Sequence, residues 1–266
     1  MKYLENFCAF ILSHGRPDDV ITYKTLKKQG YTGKIFIIVD NEDSTIKKYI
    51  ENFGKESVII FDKKKISKTF DSLDNFDNRK TIVYARNACF DIAKDLNIKY
   101  FIQLDDDYTS FLHRAESGSK QTKNLNLIFY LFLNFLKKTN IQTVAFSQGG
   151  DHIGGFNKNY LVKRKAMNRI NEDVNTYVKL GSLGKVFLTI YSFQLNQKTT
   201  QKNKGGMTDV YLKGGTYLKS FYSILLNPSS VKIKMMMTKH LRLHHQVNWD
   251  NTAVKIIDQK YKKYAT

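Results

Sequence analysis

Acidic residues are the scarce charge in this chain. Over 266 residues, 24 Asp and Glu stand against 43 Lys and Arg, a formal net charge of +19. Cysteine, proline and tryptophan are rarer still, at two, two and one. Cys8 and Cys89 are too few for a disulfide framework or a thiolate zinc centre, and they fit a reducing, cytoplasmic compartment. So little proline, with 42% hydrophobic residues, argues for a folded chain rather than a disordered one. Long apolar runs are missing as well. "FCAFIL" at 7–12 is short for a signal-peptide core and follows Glu5, and "LNLIFYLFLNFLKK" at 125–138 falls short of the roughly 20 residues a membrane span needs. The second run is read as a buried helix, and no membrane partner is expected.

The excess is cationic. "KKK" at 63–65, "KNYLVKRK" at 158–165 and "QKTTQKNK" at 197–204 make a polyanion the first partner to consider, since each phosphate neutralised releases a counterion. A lysine-rich surface that only confers solubility is the plainer reading of any single run.

The first hundred residues alternate between two patterns. "FCAFILS" (7–13), "KIFIIVD" (34–40), "SVIIF" (57–61) and "KYFIQLD" (99–105) are near-continuous apolar runs, as in strands covered on both faces. Helical segments lie between them. Pro17, Asp18 and Asp19 suit a first helical turn that ends before Gly30, and Ser44 suits the cap of a helix ended by Gly54. The expected fold is α/β, a Rossmann-type, mainly parallel sheet over 1–115 followed by a second half over 116–266, packed as one unit. In the second half "TVAFSQGG" (143–150) and "GKVFLTIYSFQL" (184–195) read as strands, and "GGMTDVYLKGGTYLKSFYSILL" (205–226) as a loop entering a helix. Ligands of such sheets sit beyond the carboxyl ends of the strands. "SHGR", "DNED" and "DDD" all fall there and should line one crevice.

Within "YFIQLDDDYTSF" (100–111), side-chain alternation lets Asp105 and Asp107 face one way while Asp106 faces the other. Two carboxylates so spaced can hold one hard divalent cation, which in turn neutralises a diphosphate. A solvated turn with a capping aspartate is the competing reading.

A D-x-D after the fourth strand of a Rossmann-like half resembles the motif of GT-A nucleotide-sugar glycosyltransferases. The chain further resembles the phage and TET/JBP-associated branch that glycosylates modified pyrimidines in DNA. The resemblance is carried by "FILSHGRPDDV", "IFIIVDNED", "YARNACFDIAK", "IQLDDDYTSF", "NEDVNTYVKLGSLGKVF", "TTQKNKGGMTDVY", "GTYLKSFYSILLNPSSVKI" and "LRLHHQVNW". It implies a GT-A-like fold with an acceptor-binding second lobe. Ser13, Arg16 and Asp40 are then expected at the donor nucleoside, Arg86 at its phosphates, and Asp105 at its sugar or ribose. Asp105 and Asp107 would hold Mn²⁺ or Mg²⁺, with one of His244 and His245 completing the site. In "NED", Asp173 is the expected base for the acceptor hydroxyl, with Glu172 second. An ordinary helix start explains these acids equally simply.

Gln148, Gly149 and Gly150, and Gln201, Gly205 and Gly206, are candidates for acceptor contacts, because glycine lets backbone amides approach a ligand and Gln can read a base or sugar edge. Tyr160, Tyr211, Tyr217 and Tyr222 are candidates to stack on an extruded base, against a default of core packing. The expected activity is metal-dependent transfer from a UDP-sugar, UDP-glucose first, to a 5-hydroxymethylpyrimidine in DNA, in host cytoplasm if phage-encoded. The alternatives are a GT-A enzyme with a glycan or protein acceptor, and a catalytically silent DNA-binding relative.

Overall fold

The computed structural model describes residues 4–71, 79–115, 118–139, 141–148, 172–198, 220–237 and 241–252. Four apolar runs form one parallel sheet: β1 (Phe7–Leu12), β2 (Lys34–Asp40), β3 (Val58–Phe61) and β4 (Tyr100–Asp105), in the order β3-β2-β1-β4. Alternation along β1 shows why the runs are continuous. Ala9 and Ile11 enter one core with Leu26 of α1 (Ile21–Lys28), Tyr49 of α2 (Ile46–Phe53) and the inner side of the long apolar helix. Cys8, Phe10 and Leu12 enter the other, with Ile66 of α3 (Lys63–Ser67) and Val83, Ala88 and Cys89 of α4 (Val83–Asp95). Each fully buried aliphatic or aromatic side chain contributes about 1.5–3 kcal/mol, so both faces demand apolar residues.

A second sheet runs β6-β5-β8-β7, from β5 (Tyr108–Ala115), β6 (Gly118–Gln121), β7 (Thr143–Ser147) and β8 (Phe187–Gln197). β5 is antiparallel to β6 and β8, and β7 is parallel to β8. The long helix α5 (Leu125–Lys138) joins the sheets through one core, in which Leu104 and Ile11 of the first share a cluster with Phe111, Phe146 and Leu195 of the second. Helix α6 (Glu172–Ser182) precedes β8. Residues 220–226 are helical, and β9 (Val231–Met237) and β10 (Leu241–Val247) pair antiparallel. This mainly parallel sheet with a second sheet beside it is the Rossmann-like, GT-A-type α/β architecture the sequence implies. No described helix is long and apolar enough to cross a membrane.

Four local expectations change. Pro17, Asp18 and Asp19 precede α1 rather than open it: Asn52 Nδ2 donates to the Pro17 carbonyl at 2.9 Å, Lys48 pairs with Asp18, and the helix starts at Ile21. Thr45, not Ser44, is the residue before α2, held by Asp43 Oδ1, which accepts from its amide and its hydroxyl. Lys63 of the "KKK" run is buried and pairs with Asp40, so it is no part of a polyanion surface. Finally, α5 is one-sided: Leu125, Ile128, Phe129, Phe132 and Leu133 are buried, whereas Leu127, Leu131 and Phe135 are exposed.

Gly30 and Gly54 do end α1 and α2, at φ +85° and +83°. At Gly30 a Cβ would also overlap the Lys123 carbonyl oxygen.

Candidate active site

The carboxyl ends of β1, β2 and β4 are tied together by side chains. Arg16 N donates to the Tyr49 hydroxyl at 2.9 Å. Ser13 Oγ lies 2.7 Å from that hydroxyl and donates to Asp106 Oδ2 at 2.6 Å. A serine hydroxyl carries a single proton, so Tyr49 donates to Ser13 and the chain runs from Arg16 N through Tyr49 and Ser13 to Asp106. Arg16 closes it with an ion pair to Asp106 Oδ1 at 3.1 Å. Ser13 and Arg16 thus brace the acidic turn directly.

Asp106 is 1% exposed and faces inward, while Asp105 and Asp107 on either side of it are only partly buried. Burial pushes the Asp106 carboxyl up to about 6; repulsion from Asp105 and Asp107 adds to this, and Arg16 and Ser13 pull against it. The turn is pinned from α1 as well. Thr22 N donates to Asp106 O at 3.0 Å, Thr22 Oγ1 donates to Asp105 O at 2.6 Å, and Tyr108 N donates to Thr22 Oγ1 at 2.8 Å.

Asp105 accepts from Arg86 NH2 of α4 at 3.0 Å. Gln103, two residues earlier in β4, donates to the Arg86 carbonyl at 2.8 Å, which fixes the backbone that carries the guanidinium. Burial and then the Asp105 charge raise the Asp107 carboxyl above its ordinary range, against Arg16 and Lys198. Two carboxylates that repel one another at the end of a strand fit a cation. The buried Arg16 Nε, without a hydrogen-bond partner among the described residues, leaves a donor over for an anion. Lys198 N donates to Asp107 O at 3.1 Å, so the chain leaving β8 passes the turn.

Asp40, at the end of β2, is 4% exposed. Its Oδ2 meets His14 Nδ1 at 2.7 Å and Lys63 Nζ at 3.1 Å, and its Oδ1 accepts from Glu42 N at 3.1 Å. Burial opposes its ionisation, but His14 and Lys63 outweigh that and hold it below the ordinary carboxylate range. An ionised carboxylate only accepts, so the His14 proton sits on Nδ1. Asp43 accepts from Gly15 N at 2.6 Å, where Gly15 adopts φ +69°, a conformation that favours glycine. "SHGR", "DNED" and "DDD" are therefore bonded together at one end of the sheet.

Across the gap between β4 and β7 lies a cavity of about 670 Å³. Arg86, Gln103, Gln148 and Asp173 line it together with aromatic rings that include Phe101 and Phe132. Asp173 lies in the first turn of α6, and its Oδ1 accepts from Val174 N at 2.8 Å. The structure thus gathers Arg86, Gln148 and Asp173 about one space, with Asp105 bonded to Arg86. Glu172 begins α6, and its side chain is outside the description.

His244 and His245 lie on β10 with rings stacked at 4.4 Å, His244 Nδ1 donating to His245 O at 2.6 Å. Among the described residues no three His, Cys, Asp or Glu side chains group as a metal site, so neither histidine is joined there to Asp105 and Asp107. Gly149, Gly150, Gln201, Gly205 and Gly206 lie outside the described residues, as do Tyr160, Tyr211 and Tyr217; Tyr222 is half-buried in the helical stretch 220–226.

The sequence alone does not single out His14, Thr22, Asp43, Tyr49 or Lys63. Only the position of His14 and Asp43 inside the polar segments gave a signal. The other three come from helices whose side chains reach the strand ends only once folded.

A family model described as TET-Associated Glycosyltransferase matches residues 7–206. Comparisons with the curated proteins and with the solved structures give no match.

Proposed function

We propose, for a chain that belongs to the TET-Associated Glycosyltransferase family and is therefore a glycosyltransferase, that it transfers a sugar from a UDP-sugar, UDP-glucose first, to the hydroxyl of a 5-hydroxymethylpyrimidine in DNA. The single observation that supports this most is the bracing of the acidic turn. Asp106 is committed inward to Ser13 and Arg16, while Asp105 and Asp107 on either side of it stay partly exposed.

Asp105 and Asp107 would hold a divalent ion, Mn²⁺ or Mg²⁺, which when bound offsets the charge developing on the leaving diphosphate. In this reading one of His244 and His245 completes the ion's ligands. Arg86 holds Asp105 in place and offers its remaining donors to phosphate oxygens, a task suited to a planar guanidinium. Ser13 and Arg16 position the nucleoside side of the crevice, and Asp40 orients His14 toward it.

Asp173 lines the same cavity as Arg86 and, where the transfer inverts, serves as general base, with Glu172 beside it in sequence. It accepts the proton of the acceptor hydroxyl as that oxygen bonds to the anomeric carbon and the carbon–oxygen bond to the diphosphate breaks. Gln148 lines the acceptor side, with Gly149, Gly150, Gln201, Gly205 and Gly206 assigned there from sequence. The net charge of +19 suits a polyanionic acceptor in a cytoplasmic setting.

The test is mass spectrometry of nucleosides from hydroxymethylated and unmodified duplex DNA after incubation with UDP-sugars and Mn²⁺. A hexose mass added only to the hydroxymethylated nucleoside is expected. Transfer to a glycan or protein acceptor in place of DNA overturns the acceptor assignment.

A further inference from the structure

The ribbon formed by β9 and β10 is not used by the chemistry above except through its histidines. Its register puts Met235 opposite Leu243 and Met237 opposite Leu241. Strand alternation therefore collects Ile233, Met235, Met237, Leu241 and Leu243 on one face, together with His245, and Lys232 and Lys234 on the other, together with Met236. The apolar face is open: Met237 is 74% exposed, Leu241 56% and Met235 54%. From 231 to 247 the sequence has four Lys or Arg and no Asp or Glu.

The base of the ribbon is anchored. Asn248 N donates to Ser230 O at 2.7 Å, and Asn251 Nδ2 donates to Ser229 O at 3.0 Å. The turn that follows abuts α6, where a Cβ on Gly181 would overlap the Thr252 carbonyl oxygen. The ribbon is thus fixed to the helix that carries Asp173.

We infer that β9–β10 is a DNA-docking ribbon that enters the major groove of the acceptor duplex. The inference rests on the DNA-acceptor reading above. The charge is complementary to a polyanion, and the major groove admits a two-stranded ribbon. Pyrimidines display their 5-substituent in that groove, which suits the apolar face carrying Met235, Met237 and Leu241. Lys232 and Lys234 have the length to reach the flanking phosphates, whose neutralisation supplies salt-dependent affinity. Lys232 and Lys234 stand on the face opposite Met235 and Met237, with Met236 between them and the strand end, and cations set behind an apolar face suit a groove with phosphates on both rims better than a flat membrane surface.

The test is fluorescence anisotropy of a labelled hydroxymethylated duplex, titrated with the full chain at several salt concentrations. Met235→Glu/Met237→Glu should weaken binding at least about tenfold, since it sets like charge against phosphate. Lys232→Gln/Lys234→Gln should reduce the slope of log affinity against log salt by roughly 1.8, for two phosphate contacts at about 0.9 each. UDP-sugar hydrolysis should stay at the wild-type rate in both. If circular dichroism shows that the double methionine variant is unfolded, Met237→Gln at the most exposed position carries the test, with a smaller loss of affinity expected.

Wild-type affinity and salt slope in the folded variants overturn the ribbon's role while leaving the DNA-acceptor reading intact. Conversely, DNA binding that depends on the ribbon without any transfer to DNA sinks the acceptor reading alone. Binding to phosphatidylserine vesicles that the methionine variant loses, with duplex affinity unchanged, reassigns the face to membranes and also overturns the proposal.

Discussion

Arg86 reaches from α4 to the end of β4 and donates to Asp105 Oδ1 at 3.0 Å. This contact ties a helix that covers one face of the sheet to the carboxylate turn, through a residue that also lines the cavity. Lys would keep the charge at position 86 but lose the planar fork that holds Asp105 and that the proposed mechanism also turns to phosphate. Arg86→Lys should therefore lower kcat/KM on the order of 10²-fold, the scale expected when reacting groups are misplaced by about 1 Å. Steady-state kinetics with UDP-sugar varied provide the check, with the urea midpoint close to wild type.

The buried pair of Lys63 and Asp40 predicts a stability effect. Removing one member strands the other's charge in the interior, at a cost of about 3–5 kcal/mol. Lys63→Met should be destabilised by that amount in urea unfolding, and Asp40→Asn/Lys63→Met should recover most of it. Additive losses in the double variant would show that the two side chains do not act as a pair.

The same pair predicts how stability changes with pH. Asp40, faced by His14 and Lys63, titrates below the ordinary aspartate value of 3.8 in the folded chain. The native state therefore binds fewer protons than the unfolded state as acid is added. The stability Asp40 contributes is present above about 3.8 and is lost as pH falls through its lowered folded value. The stability difference between wild type and Asp40→Asn should narrow with acidification over that window. A gap that widens toward low pH would contradict the assignment.

Gly30 is required by backbone as well as by space. It sits at φ +85° against the Lys123 carbonyl, where α1 hands over to β2. Gly30→Ala should cost more than about 1 kcal/mol, measurable as a lowered Tm.

Most of the first sheet is legible from sequence because its strands are covered on both faces. Only near-continuous apolar runs such as Phe7–Leu12 satisfy two cores at once, and their ends put "SHGR", "DNED" and "DDD" together. The helix starts were less legible. Asp18 resembles a first-turn acid, yet it serves Lys48 and Asn52 of α2, a contact across 30 or more residues. Lys63 illustrates the same limit: within "KKK" it is indistinguishable from its neighbours, and only the packing of α3 against Asn41 and Asp40 sets it apart. In the acidic turn, period-two alternation separated Asp106 from its neighbours. It could not reveal that Ser13, Arg16 and Tyr49 receive the inward carboxylate.

The central claim is that Asp105 and Asp107 hold a cation for the donor's diphosphate. Calorimetric titration of UDP tests it most directly, using wild type and Asp107→Asn, each with Mn²⁺ and with a chelator. Wild type with Mn²⁺ should bind UDP at least about tenfold more tightly than in chelator, a factor worth about 1.4 kcal/mol, and Asp107→Asn should show no such gain. Equal UDP affinity in all four titrations would contradict the account.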